Sequence, residues 1–135
     1  MSGLDKVSRL EGAELDYWVA RALGFNAVIC TQQNQETFSR ADAVEGCLYI
    51  RLGGPETKYS PSRRWNEAGP IIEREGITLI HFVSGDSSSW GAEYGRAHYC
   101  DTVGTEWNAA KPLIAAMRCF VASKFGETVG EQKAA

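Results

Sequence analysis

The sequence contains no apolar run long enough to cross a bilayer. Its longest, Leu113 to Ala122, is interrupted by Arg118, whereas a spanning helix needs about 20 predominantly apolar residues. The opening stretch MSGLDKVSRLEG also lacks the apolar centre of a secretory signal. Together these absences predict a cytoplasmic protein that meets no membrane. No Cys-x-x-Cys pair occurs among Cys30, Cys47, Cys100 and Cys119, which removes the commonest zinc and redox signatures. Cytosolic thiols stay reduced, and Cys30 and Cys47 lie in apolar runs where cysteine packs as a small hydrophobe. The triplet His98-Tyr99-Cys100, joined by His81, could offer metal ligands. It lacks closely paired donors, so no metal or cofactor is expected.

Basic charge is also short. Fourteen basic against 17 acidic side chains leave a net charge of -3, which disfavours nucleic acid as a partner, because phosphates need a basic face. Arg63-Arg64 alone is a thin footprint. Catalytic signatures are missing as well: there is no GxSxG elbow and no HExxH helix. Ser87, Ser88, Ser89 and Cys100 could act as nucleophiles with His81 or His98 as base, but nothing in their spacing draws them together. Gly53-Gly54 follows a strand without the rest of a phosphate loop, and Pro55 brings no amide donor. Glu73, Glu75 and Asp86 read as solvated surface. These absences favour a non-enzymatic protein.

What remains is a foldable chain of 135 residues, 44% hydrophobic and 23% charged, the size of one domain. Residues 1–8 and 127–135 are polar or small and are expected to fray. A helix is predicted over about Ala13 to Leu23, with Leu15, Trp18, Val19, Ala22 and Leu23 on one stripe, Asp16, Tyr17, Ala20 and Arg21 facing away, and Gly24 ending it. Strands are predicted at Asn26 to Thr31, Cys47 to Leu52 and Ile77 to Val83. The last is apolar on both faces and so reads as central. Between the second and third strands, Ser60-Pro61 and Gly69-Pro70 each look like a helix start. Two short helical turns closed by Gly76 follow, pinned to the sheet by Trp65, Ile71 and Ile72. Ser84 to Trp107 loses periodicity, with Trp90, Tyr94, Arg96, His98 and Tyr99 among small residues and a further strand possible near Ala97 to Val103. The last helix runs from Pro112 to Phe125, with Leu113, Ala116, Met117, Phe120 and Val121 as its stripe and Gly126 at its end.

Several blocks carry a family likeness: Leu15-Asp16-Tyr17-Trp18-Val19-Ala20-Arg21-Ala22 with Gly24, Tyr59-Ser60-Pro61-Ser62 with Trp65, Gly69-Pro70-Ile71-Ile72-Glu73-Arg74, and Pro112 to Cys119 with Val121 to Lys124. With these blocks the chain resembles the phage and prophage family that includes the NinX-like proteins. Gln32 to Gly46 and Ser84 to Trp107 match poorly. Lys111 departs from the pattern, standing where the family places a small capping residue before the proline. The resemblance implies a phage or prophage origin and an accessory role in the bacterial cytoplasm, and it brings no catalytic residues.

The fold expected is α+β: a small antiparallel sheet of three to four strands with the N- and C-terminal helices packed on one face. The leading functional expectation is a non-enzymatic protein that binds a host or phage protein, with a homodimer possible. Its binding candidates are Tyr59, Ser60, Trp65, Glu73, Arg74, Trp90, Tyr94 and Arg118. The alternative is a small-molecule binder or enzyme with a pocket between residues 60–74 and 84–107.

Overall fold

The computed structural model describes residues 5–94 and 108–130. Among them are three α-helices, α1 (Gly12–Ala22), α2 (Trp65–Glu75) and α3 (Pro112–Phe125), and seven strands. The strands are β1 (Asp5–Lys6), β2 (Asn26–Ile29), β3 (Leu48–Arg51), β4 (Thr57–Lys58), β5 (Ile77–Ser84), β6 (Ser87–Tyr94) and β7 (Thr128–Val129). The class is α+β and every pairing is antiparallel, in sheets ordered β2-β3-β4, β5-β6 and β1-β7.

Helix α3 is the centre of the molecule. Leu113, Ala115, Ala116, Met117, Cys119, Phe120 and Val121 are all buried, so the helix is enclosed on more than the single stripe expected. It lies against the β5–β6 hairpin, α1 and α2. Helix α1 rests on β2 and β3. Because α1 is held between that sheet and α3, Asp16, Tyr17 and Ala20 are buried with Leu15 and Val19. Their expected outward placement is therefore corrected, since a stripe shows only one of the two faces such a helix covers.

Three other expectations are revised. Ser87 to Tyr94 is not aperiodic: it pairs with β5 from Ile77↔Tyr94 to Ser84↔Ser87. Gly85 heads its two-residue turn at φ +59°, as a type II′ hairpin turn requires. Strand β5 therefore belongs to a two-stranded hairpin and is not central. Second, Pro70 does not start a new turn but sits inside α2. The amide it lacks would have bonded Asn66, which is exposed, so solvent can take that carbonyl. Third, residues 5–8 and 127–130 are joined where fraying was expected: Asp5 and Lys6 pair with Val129 and Thr128, and Val7 N–H donates to the Glu127 carbonyl at 2.9 Å. The strand considered near Ala97 to Val103 lies outside the described residues.

The β2–β3 ladder ends in a bulge. Gly46 N–H donates to the Cys30 carbonyl at 2.8 Å while Cys30 N–H donates to Cys47 at 2.9 Å, so two residues face one. Gly46 has φ +87°, the left-handed geometry of a G1 bulge. Gly46→Ala meets no steric neighbour, so its cost is conformational alone. A loss of about 1–2 kcal/mol is expected in urea unfolding, with the unfolding slope unchanged.

Candidate functional site

The most built-up surface feature lies where the chain enters α2, and it begins with two carboxylates holding a turn. Ser60 offers its carbonyl to the amides of Arg63 and Arg64 at 3.0 and 2.9 Å. Ser60 N–H donates to Glu67 Oε1 at 2.6 Å, and Ser62 N–H donates to Asp16 Oδ1 at 2.8 Å. Pro61 between them has no amide to satisfy and is fully buried. Thus α1 and α2 each supply one acid to fix the Ser-Pro-Ser turn. Asp16 is 1% exposed. Burial pushes its carboxyl up to about 6, against the opposing pull of the Ser62 backbone and side chain and of Arg63. Tyr59 stands edge-on to Phe25, and burial, with Glu67 and Asp16 nearby, raises its phenol to about 12.

This turn forms one wall of a cleft of about 410 Å³. Ser62, Arg63 and Trp65 line that wall, and Lys111, Pro112, Leu113 and Ile114, the start of α3, line the other. Trp65 is 56% exposed; it does not pin α2 to a sheet as expected, and α2 is anchored to the core by Ile71 and, at its margin, Ile72. Arg63 and Lys111 are exposed and make no salt bridge among the described residues. A second hollow of about 340 Å³ follows the hairpin tip, lined by Phe82, Val83 and four serines, with no charged group. Of these two, the first cleft combines an exposed aromatic, an apolar floor and two cations outside any salt bridge among the described residues.

The remaining candidates lie elsewhere. Glu73 and Arg74 are exposed on the far turns of α2, and Arg74 Nε bonds the neighbouring Glu75 at 3.0 Å. Tyr94 donates to Glu75 Oε1 at 3.1 Å and meets Ser123 Oγ at 2.8 Å, and burial raises its phenol to about 12. Trp90 stacks on His81, with ring centres 4.3 Å apart, and its backbone exchanges two hydrogen bonds with Ala109. Arg118 donates from Nε to the Leu10 carbonyl at 2.7 Å and from Nη1 to the Asn108 carbonyl at 3.0 Å. Neither of the two hollows is lined by Ser60, Glu73, Arg74 or Arg118, and His98 lies outside the described residues. Among the described residues no three His, Cys, Asp or Glu side chains are grouped as metal ligands.

The family described as Bacteriophage P22, NinX matches residues 6–124. The chain belongs to that family. It is accordingly a phage-encoded protein, and the match spans both walls of the cleft. No curated protein matches the chain. No described helix is long and apolar enough to cross a membrane. Of the cleft residues, Trp65 was legible from the sequence as a site candidate. Lys111 was visible only as a departure from the family pattern, and Leu113 and Ile114 only as core. Asp16 appeared only as an outward-facing residue within a family block, because its partner Ser62 lies far along the chain.

Proposed function

We propose that this NinX-family chain is an accessory binding protein that acts without catalysing a reaction, and that its partner is a host or phage protein docking in the cleft at α3. The observation that carries this reading is Trp65. A large aromatic left 56% exposed beside an apolar floor is the side chain that dominates binding energy when a partner covers it. The charges select the occupant: Arg63 and Lys111 flank Pro112, Leu113 and Ile114, which suits a polypeptide segment with an acidic side chain beside an apolar one.

A photo-reactive amino acid at position 65, in the full chain expressed during phage infection, tests this. One protein, identified by its cross-linked peptide, is expected at 65 and not at the exposed control position Val83. The purified pair should then bind, and Trp65→Ala should weaken that binding at least about tenfold. The same substitution should move stability by under about 0.5 kcal/mol. Equal labelling at 65 and 83 would refute the docking cleft, and cross-links only between copies of the chain would replace the foreign partner with a homodimer.

A further inference from the structure

We infer that Cys30 and Cys47 form a redox clamp: two thiols that peroxide converts to a disulfide across the β2–β3 ladder, closing the segment 31–46. The pair shares no residue with the docking cleft. At the bulge that ends this ladder, Cys30 N–H donates to the Cys47 carbonyl at 2.9 Å, and Gly46 N–H donates to the Cys30 carbonyl at 2.8 Å. The adjoining register pairs Val28 with Tyr49 and Ile29 with Leu48, so Cys30 and Cys47 are the next opposed residues. Opposed residues of an antiparallel ladder hold their Cα atoms about 4.5–5.5 Å apart. A disulfide spans roughly 4.4–6.8 Å between Cα atoms, so the backbone need not move to accept one.

The two side chains also share a face. Alternation along the strands sends Ala27, Ile29, Leu48 and Ile50 into the main core, and Val28, Cys30, Cys47 and Tyr49 to the opposite side. There, with Phe38 and Ala43 from the segment between the strands, they make a small separate cluster. Both thiols are free. Cys30 is 0% exposed, whereas Cys47 is half-buried. Burial also pushes the Cys30 thiol up, which keeps it protonated, so peroxide meets Cys47 first. The Cys47 sulfur takes one peroxide oxygen to become a sulfenic acid, and the other oxygen leaves as water. The Cys30 sulfur then attacks, the S–S bond forms, and the displaced hydroxide leaves with the Cys30 proton as a second water. Peroxide is the oxidant, and a dithiol reductant restores both thiols while becoming a disulfide itself. Closure also restrains Ser39 and Arg40, which bond Glu56 from Oγ at 2.9 Å and from Nη1 to its carbonyl at 2.8 Å. The clamp thereby ties the segment 31–46 to the start of β4.

The test treats the reduced, folded full chain with hydrogen peroxide, then with iodoacetamide, and digests it with trypsin. Cleavage after Arg40 places Cys30 and Cys47 in separate peptides, 22–40 and 41–51. These two should be recovered joined, short of two hydrogens, and should separate in dithiothreitol. The oxidised chain should melt about 5–10 °C higher, because closing a loop of this length constrains the unfolded chain. Cys30→Ala should leave the Cys47 sulfenic acid unresolved, with far more dimedone adduct than the wild type. Cys47→Ala should leave Cys30 untouched by peroxide until urea is added. Two alkylated thiols after peroxide, a bond to Cys100, to Cys119 or to a second copy, or a Cys30–Cys47 bond formed only in urea would overturn the clamp.

Discussion

Arg118→Ala is expected to lower the free energy of unfolding by about 2–3 kcal/mol while leaving ligand binding at the cleft unchanged. The guanidinium joins three separate segments. From the middle of α3 it reaches the Leu10 carbonyl, just before α1, and the Asn108 carbonyl, just before α3 itself. Burial depresses its basicity, partly offset by Glu11, so the side chain spends desolvation to make these two bonds. Hydrogen bonds to a charged donor are worth about 1.5–3 kcal/mol each, and a half-buried site returns part of that to water. Arg118→Lys should recover less than half, because one ammonium cannot span two carbonyls set apart for a planar fork. Urea denaturation of the three proteins measures this. A fall in binding of the partner captured at position 65, at unchanged stability, would instead make Arg118 part of the recognition surface.

That outcome bears on how far the sequence could be read. Periodicity exposed the stripes of α1 and α3, because Leu15, Trp18 and Val19, or Leu113, Met117 and Phe120, must share one buried face whatever they pack against. It missed Asp16, Tyr17 and Ala20, since a second covered face is created only by the tertiary arrangement. The β6 strand was hidden for a local reason: Ser87-Ser88-Ser89 and Gly91 have low strand propensity, and they pair because the Gly85-Asp86 turn and the apolar β5 bring them there. The Ser60 to Arg74 connection was recognised as ordered from its prolines and caps. Its role as a cleft wall depends on α3 lying opposite, a relation about 50 residues away that no spacing rule carries. Arg118 drew notice as a charge within an apolar run and Trp90 as an aromatic among small residues, and geometry gives both ordinary partners.

Asp16 provides the other large effect, and its sign runs against ordinary acid denaturation. Its folded-state value of about 6 lies above the usual 3.8 because burial outweighs Ser62 and Arg63. Folding therefore favours the protonated acid. The stability it contributes is present below the unfolded value and is lost as pH rises through the folded one, roughly 3 kcal/mol between about pH 4 and about pH 7. Glu56 and Glu75 act oppositely. Burial pushes each up, but hydrogen bonds outweigh it, from Ser39 and the Glu56 backbone in one case and from Arg74 and Tyr94 in the other, and hold both below the ordinary range. Their stabilisation is lost toward acid, so the whole-protein profile mixes both slopes. The difference between wild type and Asp16→Asn isolates the one group. Asparagine keeps an acceptor for the Ser62 amide and cannot ionise. It should match the wild type near pH 4 and exceed it near neutrality, whereas Asp16→Ala, leaving that amide unpaired, should cost about 1–3 kcal/mol near pH 4, where Asp16 is protonated. Parallel urea curves for wild type and Asp16→Asn across that range would show that the carboxyl is not the titrating group. A widening gap toward neutrality would show that the buried Asp16 carboxyl costs stability where it ionises, beneath the turn carrying Ser62, Arg63 and Trp65.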